Sequence, residues 1–393
     1  MSILDGLAYT YAIAGLGYWL TMLVFTLRSI RAITVLDRWA PREPDSWPTL
    51  SQIVPACNEA ATLEAAVGSR LREGYPDTEI MLVEDRSTDA TPAIADQLAA
   101  ADPRVQVLHL VDLPAGWLGK VHALHQGTQR ATGEWLLFSD ADVHFSPGAI
   151  RRAVAYALAH NLDHLTLVPD LWPATFCLDA CLSSFLRVFG VVTRSWAVND
   201  PLSRASLGVG AFNLVRRAAF ERTPGFEWLR LEVVDDMAFG QMLKRSGART
   251  ALVNGCGLVG LWFYRSLAEA ARGTEKGAPA AARNYGPARA ALAAVVLAVL
   301  EVAPLACVLA WGRPWVQWSG ALSVAAALVA QLALARRNRR PLLSAACIPL
   351  AAVLNLVLVL RAAWLCWRRG GLVWRGTLYP LDVLRAGRRL EFP

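Results

Sequence analysis

The sequence predicts an α/β domain built on a mostly parallel sheet, set between apolar segments long enough to cross a membrane. Three observations carry this. Between residues 49 and 255, short strand-like runs alternate with helical patterns, the order that builds a parallel sheet. One apolar run near the N-terminus and several after about residue 290 are long enough to span a bilayer. The hydrophobic fraction is 55%, and the mean hydropathy is +0.34, both high for a soluble protein.

Residues 9–27 form the first apolar run. No basic stretch precedes it and no small-residue cleavage site follows, so it reads as an uncleaved anchor rather than a signal peptide. Arg28, Arg31, Arg38 and Arg42 follow it, which puts the next domain in the cytoplasm. Strands are expected at 52–54, 79–83, 105–110, 135–138 and 164–168, with helices at 60–72, 91–101, 120–131 and 147–160. In such sheets ligands bind at the carboxyl ends of the strands. Further apolar runs cover 291–311, 315–335 and 342–367. The basic link 336–341 between the last two marks a cytoplasmic turn. Pro349 and Arg361 interrupt the last run, which reads as a re-entrant hairpin or two short helices. The tail carries Arg368, Arg369, Arg375, Arg385, Arg388 and Arg389. A fourth full crossing would place that basic tail outside, against the charge rule, so four to five spans and a cytoplasmic tail are expected. The division is an anchor at 1–30, a catalytic domain at 48–285, a C-terminal membrane region at 290–370 and a basic tail at 371–393.

The net charge is +7, yet the central region has no basic stripe interleaved with aromatics, so nucleic acid is not the partner. The arginines flank apolar segments, where anionic lipid headgroups favour them. The seven cysteines include no C-x-x-C pair and form no disulfide framework. Cys177 and Cys181, four apart, read as buried or lipid-facing thiols. His122 with His125, and His160 with His164, lack a third ligand nearby and read as helix-surface histidines rather than zinc ligands.

Five motifs stand at predicted strand ends. The first is Pro55-Ala56-Cys57-Asn58-Glu59, where Asn58 opens a turn or caps a helix. In Val83-Glu84-Asp85-Arg86-Ser87-Thr88-Asp89, Asp85 at the strand tip is placed to accept hydrogen bonds from a base or ribose. Gly116-Trp117-Leu118-Gly119-Lys120 puts a cation at a helix start, where anions bind well, without the spacing of a P-loop. Ser139-Asp140-Ala141-Asp142 sets two carboxylates around one residue after an apolar strand. A hard cation with oxygen ligands neutralises such a pair, and Mg²⁺ is bound through one or two carboxylates plus substrate phosphates. Asp235-Asp236, followed by Met237-Ala238-Phe239, either complements a helix dipole or supplies a general base.

These motifs, in this order, resemble the membrane branch of the family 2 glycosyltransferases with the GT-A fold: ceramide, carotenoid and hopanoid-associated glycosyltransferases. The resemblance covers roughly residues 48–285 by motif and the flanking segments by architecture. It implies a Rossmann-like domain with a nucleotide-sugar donor, probed by Pro55, Asn58, Glu59, Asp85, Lys120 and Asp140. It also implies Mg²⁺ or Mn²⁺ held by Asp142 with Asp140, and a catalytic base at Asp236 beside Asp235. Gly208, Gly210 and Phe212 fall in what resembles an acceptor loop. Trp374-Arg375-Gly376 with Tyr379 resembles a C-terminal motif of this branch. The Q-x-x-R-W motif of processive and ceramide enzymes is absent. Arg272 and Lys276 occupy the comparable region and are candidates for the diphosphate. The expected reaction is inverting transfer from a UDP-sugar to a hydroxyl of a membrane lipid, at the cytoplasmic membrane. The alternatives are a processive polysaccharide synthase, a polyprenyl-phosphate sugar transferase, and a catalytically silent membrane scaffold.

Overall fold

The computed structural model describes residues 3–41, 43–281 and 286–391; Arg42, one of the arginines after the anchor, lies outside them. In chain order the elements are α1 (Ile3–Ala32), β1 (Thr34–Val35), β2 (Leu50–Ala56), α2 (Leu63–Leu71), β3 (Thr78–Asp85), α3 (Thr91–Ala101), β4 (Val105–Leu110), α4 (Gly119–Arg130), β5 (Trp135–Phe138), β6 (His144–Phe145), α5 (Ala149–Ala159), β7 (His164–Val168), β8 (Asp170–Leu171) and α6 (Phe176–Val192). They continue with β9 (Asn213–Arg216), α7 (Arg217–Glu221), α8 (Gly225–Trp228), α9 (Asp235–Arg245), β10 (Thr250–Asn254), β11 (Val259–Leu261), α10 (Leu267–Ala281), α11 (Pro287–Val308), α12 (Pro314–Arg337), α13 (Leu342–Ala346), α14 (Ile348–Arg369), β12 (Gly371–Trp374), β13 (Thr377–Pro380) and α15 (Leu381–Gly387). The chain divides into two compact units: a catalytic unit of residues 33–171, 197–262 and 386–393, and a helical unit of residues 1–32, 172–196 and 263–385.

The catalytic unit holds an eight-stranded sheet in the order β1-β10-β7-β9-β5-β2-β3-β4. Only β9 runs antiparallel to its neighbours, β5 and β7. Every residue of β2 is buried, as a central parallel strand covered on both faces requires. Val54, Leu63, Val67, Leu82 and Ala95 form the core on one side of it. From β2 the chain winds outward through β3 and β4, then returns to place β5 on the other flank of β2. The carboxyl ends of β2 and β5 therefore meet at the point where the winding reverses, the usual ligand crevice of an open α/β sheet.

Local chemistry fixes the supporting elements. α5 starts after Gly148 in the left-handed region (φ 77), and its first-turn amides at Ile150 and Arg151 donate to Glu73 Oε1 at 2.6 and 3.0 Å. Burial pushes the Glu73 carboxyl up to about 7, against the pull of those backbone bonds. His160 ends α5, but His164 is no helix-surface residue: it lies buried on β7, with Nε2 3.1 Å from Asn213 Oδ1.

In the helical unit, α1, α11, α12 and α14 are long and apolar enough to cross a membrane. The final apolar run breaks just before Pro349 but not at Arg361. α13 takes its first residues, and α14 then runs unbroken through Arg361. Pro349 falls in the first turn of α14, where no intrahelical amide donor is needed. The helix stops at Gly370 in the left-handed region (φ 66). Trp311, Trp315 and Trp318 are exposed around the α11–α12 turn, as an interfacial belt requires. Arg313 beside them meets Asp5 at 3.0 Å, which sets that turn at the same end as the N-terminus.

α6 was not foreseen, and its polarity is inverted. Asp179, Ser183, Ser184 and Arg187 are buried, while Phe176, Phe185 and Val192 are exposed. Asp179 meets Arg340 at 2.6 Å. Arg187 donates to Glu301 and, at 2.7 Å, to Gln331 Oε1, and its guanidinium lies 4.6 Å from the Trp19 ring centroid. Tyr18 and Ser184 hydroxyls complete the shell of Glu301 at 2.8 and 3.2 Å. One charge pair thus ties α1, α6, α11 and α12 together.

Candidate active site

Five loops at the carboxyl edge of the sheet build the site. The loop after β2 and the loop after β3 clasp one another. Asn58, held at φ 58, accepts from the Thr88 amide at 2.8 Å, and its own amide donates to Ser87 Oγ at 3.0 Å. The Glu59 amide donates to Thr91 Oγ1 at 2.8 Å. Pro55, one residue before the end of β2, pairs in register with Val83 of β3. Asp85 closes β3, fully buried, with Arg86 Nε donating to its Oδ1 at 2.8 Å. Gly119 opens α4 against this carboxylate: a Cβ there would stand 2.4 Å from Asp85 Oδ2.

One turn along α4, His122 is buried rather than on the surface, with its ring edge-on to Trp117 at 5.4 Å. Lys120, between them, reaches the other cluster. Its Nζ lies 2.7 Å from Asp140 Oδ1 and 3.4 Å from Asp235 Oδ2. Burial alone would depress this ammonium, but the fields of Asp140, Asp235 and Asp236 outweigh it and hold the pKa above that of ordinary lysine.

The D-x-D loop, the glycine loop and the acid pair are stitched together by backbone. The Asp140 amide donates to the Gly210 carbonyl at 3.0 Å, and the Gly210 amide donates to Asp236 Oδ2 at 2.9 Å. No side chain fits at Gly208, where a Cβ would come within 2.0 Å of the Asp236 carbonyl. Phe212 is fully buried, and its carbonyl accepts from Thr166 Oγ1 at 2.9 Å. Asn213 Nδ2 donates to the Val209 carbonyl at 2.8 Å, so the His164–Asn213 pair braces this loop from beneath.

A small recess results, lined by Lys120, Asp140, Gly210, Asn213, Asp235 and Asp236 and floored by Phe138, Phe226 and Phe239. Its electrostatics are unbalanced: three carboxylates face one ammonium. Asp142 is pushed up to about 7 by burial, then by Asp140 and Glu59. Asp236 is pushed up to about 6 by burial, then by Asp235. Among the described residues no three His, Cys, Asp or Glu side chains form a metal-holding group. The oxygen donors present suit a hard cation that keeps waters and takes further ligands from a phosphate, as Mg²⁺ does.

The structure thus brings together Asp140, Asp235, Asp236, Lys120, Gly208 and Gly210, with Asp142 two residues along the same loop. Arg272 and Lys276 instead stand on α10, in the helical unit, where Lys276 Nζ lies 4.3 Å over the Trp374 ring. Sequence reasoning passed over Arg70, buried under the D-x-D loop, because it belongs to no recognisable motif, and gave no role to Ser139 at the start of that loop.

Comparison with known proteins shows what part of the chain resembles. Residues 51–172 match the model of "Glycosyl transferase family 2". That stretch of the chain is similar to the family's members. Three relatives illustrate its breadth. The 4,4'-diaponeurosporenoate glycosyltransferase of Staphylococcus haemolyticus is 22% identical over 57% of this chain and 59% of its own length. A PGL/p-HBAD biosynthesis glycosyltransferase of Mycobacterium bovis is 38% identical over 34% of this chain and 54% of its own. The beta-monoglucosyldiacylglycerol synthase of a Synechocystis species is 28% identical over 36% of this chain and 31% of its own. The chain thus spans well under two thirds of the length of these curated relatives. Among solved structures, the mannosyltransferase PcManGT from Pyrobaculum calidifontis, in complex with GDP-Man and Mn²⁺, shares the fold. Its TM-score is 0.51 at 20% identity, over 89% of this chain and 99% of that one. The unit that carries the eight-stranded sheet has the GT-A fold.

Proposed function

We propose that this protein transfers a sugar, with inversion, from a nucleotide-diphosphate donor, a UDP-sugar by preference, to a hydroxyl of a membrane lipid. The observation that carries the reading is the excess of carboxylates around Lys120 at the reversal point of the sheet. Asp142, with Asp140, would hold Mg²⁺ or Mn²⁺, which when bound neutralises charge on the departing diphosphate. Asp85 accepts hydrogen bonds from the nucleoside, beside the clasped loops of Pro55, Asn58 and Glu59. Lys120 Nζ bridges Asp140 and Asp235 and holds both in place. Asp236, its Oδ2 fixed by the Gly210 amide, takes the proton of the attacking hydroxyl. A carboxylate raised above the ordinary aspartate range by burial and by Asp235 is a stronger base than an ordinary aspartate.

The lipid acceptor rests on the long apolar helices and on relatives named for a diaponeurosporenoate and a glucosyldiacylglycerol. A membrane-held acceptor is supplied to the site by proximity. The test is transfer of radiolabelled sugar from UDP- and GDP-sugars into a total lipid extract by the purified protein, with products identified by mass spectrometry. A glycolipid product supports the reading; transfer to soluble acceptors alone overturns the lipid assignment.

The tail bears on topology. The amides of Arg389 and Leu390 donate to Glu232 Oε2 at 2.7 and 2.9 Å, and Gln241 Nε2 donates to the Glu391 carbonyl at 2.6 Å. Residues 386–391 are thus part of the catalytic unit and share its side of the membrane, the cytoplasmic side by the arginines after α1. Four full crossings would separate them. We infer that α14 lies in the interface instead. Well inside its length, Arg361 meets Glu275 of α10 at 2.8 Å, a charge pair ill suited to hydrocarbon.

A further inference from the structure

Arg70 lies on α2 with only 1% of its surface exposed. The neighbouring inward positions of the helix, Leu63, Ala66 and Val67, are apolar, as a core-facing stripe should be. An arginine in that stripe is costly, since a buried charge needs compensation for lost hydration. Its partners are not carboxylates. Nη2 donates to the Asp140 carbonyl at 2.8 Å and to Ser139 Oγ at 3.0 Å, and Nη1 reaches Gln52 Oε1 at 3.4 Å. The guanidinium carbon lies 4.5 Å from the Phe145 ring centroid.

From this point a continuous chain of bonds runs through the site. Ser139 Oγ donates to the Ala211 carbonyl at 2.7 Å, in the glycine loop. The Asp140 amide holds Gly210 from the other side, and the Gly210 amide holds Asp236. A planar guanidinium whose Nη2 bonds a hydroxyl and a carbonyl on adjacent residues, while its Nη1 is held by Gln52, fixes the path of the backbone in a way that a single rotating ammonium does not. Burial draws the Arg70 pKa down to about 9, while the fields of Asp142 and Asp140 act to raise it, which keeps the guanidinium charged at neutral pH.

We propose that Arg70 is a positioning residue: it locks the D-x-D loop against the glycine loop, and so sets the spacing between the carboxylates that would receive the cation and Asp236. The inference rests on the reading of Asp140 and Asp142 as the cation site. Arg70→Lys keeps the charge and loses the fork; Ser139→Ala removes the next bond of the same chain with little change of volume. Both variants are made in the full-length protein and compared in two measurements. In amide hydrogen exchange, peptides covering 135–145 and 205–216 should exchange faster, while those covering α3 and β4 stay unchanged. In electron paramagnetic resonance titration with Mn²⁺ alone, affinity should fall about 10- to 100-fold, the usual effect of losing a group that orients a metal ligand. Wild-type exchange in Arg70→Lys overturns the proposal, as does faster exchange across the whole catalytic unit, which would mean general support of the fold. Local loosening with unchanged Mn²⁺ affinity also overturns it. If the wild-type protein takes up no Mn²⁺ while Arg70→Lys still loosens only those two loops, the cation reading falls and the locking role of Arg70 stands.

Discussion

Two clusters of buried charge, one in each unit, show opposite designs. Around Arg187 and Glu301 the charges are equal and paired: guanidinium, carboxylate, two hydroxyls and the Gln331 amide oxygen bond to one another, with Gln331 Nε2 left without a partner among the described residues. Around Lys120 one ammonium meets Asp140 and Asp235 and feels Asp236, so the cluster carries surplus negative charge. The closed cluster needs nothing from outside, and its use is to hold helices in register. The open cluster has surplus charge that the proposed cation would neutralise. Burial alone does not mark a functional site; an imbalance that a ligand would cure does.

The largest effect is expected in the open cluster. Asp236→Asn keeps size and hydrogen bonding but takes up no proton, so turnover should fall about 10²- to 10⁴-fold with donor affinity retained. Asp235→Asn should cost less, through the position of Lys120. Rates measured beside nucleotide-sugar affinity for both variants check this; the reverse ranking would assign the proton to Asp235. In the closed cluster, Glu301→Gln should leave Arg187 uncompensated and cost about 3–5 kcal/mol of stability. Replacing both partners together by Met and Leu should cost much less. Thermal unfolding in detergent compares the two, and equal losses would break the contrast between the clusters.

Much of this was legible from residues alone. Each predicted strand from 52 to 168 formed within a few residues of its expected place, because its apolar run is bounded by turn residues and needs no distant partner to be recognised. The order of the acids along the chain was enough to gather them at one sheet edge. What escaped notice depends on tertiary pairing. β9 is a four-residue strand whose antiparallel placement between β5 and β7 is visible only in the register. α6 hides its polar residues and exposes Phe176 and Phe185, so it gives neither a soluble amphipathic signal nor a full-length span. His164 looked like a surface residue and Arg70 drew no notice, since nothing local says which side chains will be buried.

His164 offers a smaller test. Burial holds its pKa at about 4, so the folded ring stays neutral while the unfolded one titrates near 6.5. Its contribution is complete above pH 6.5 and is lost as pH falls towards 4, about 3 kcal/mol over that window. His164→Gln does not titrate, so the stability difference between it and the wild-type protein should change with pH in that window; a constant difference would refute the assignment. Denaturant titrations between pH 4 and 7 supply it. The smallest perturbation, with no change of stability expected, is topological: cysteine labels near residue 280 and after residue 385 should report the same, cytoplasmic side. Opposite sides would require α14 to cross.

On this reading the charge imbalance around Lys120 marks a cation-dependent nucleotide-sugar site. Its most direct test is hydrolysis or transfer of a nucleotide sugar by the purified protein with Mn²⁺ or Mg²⁺, by the wild-type protein and by Asp142→Ala. Turnover in the wild-type protein that vanishes in EDTA, and is absent in a folded Asp142→Ala, is the predicted result. Full activity in EDTA, or an active Asp142→Ala, would contradict it.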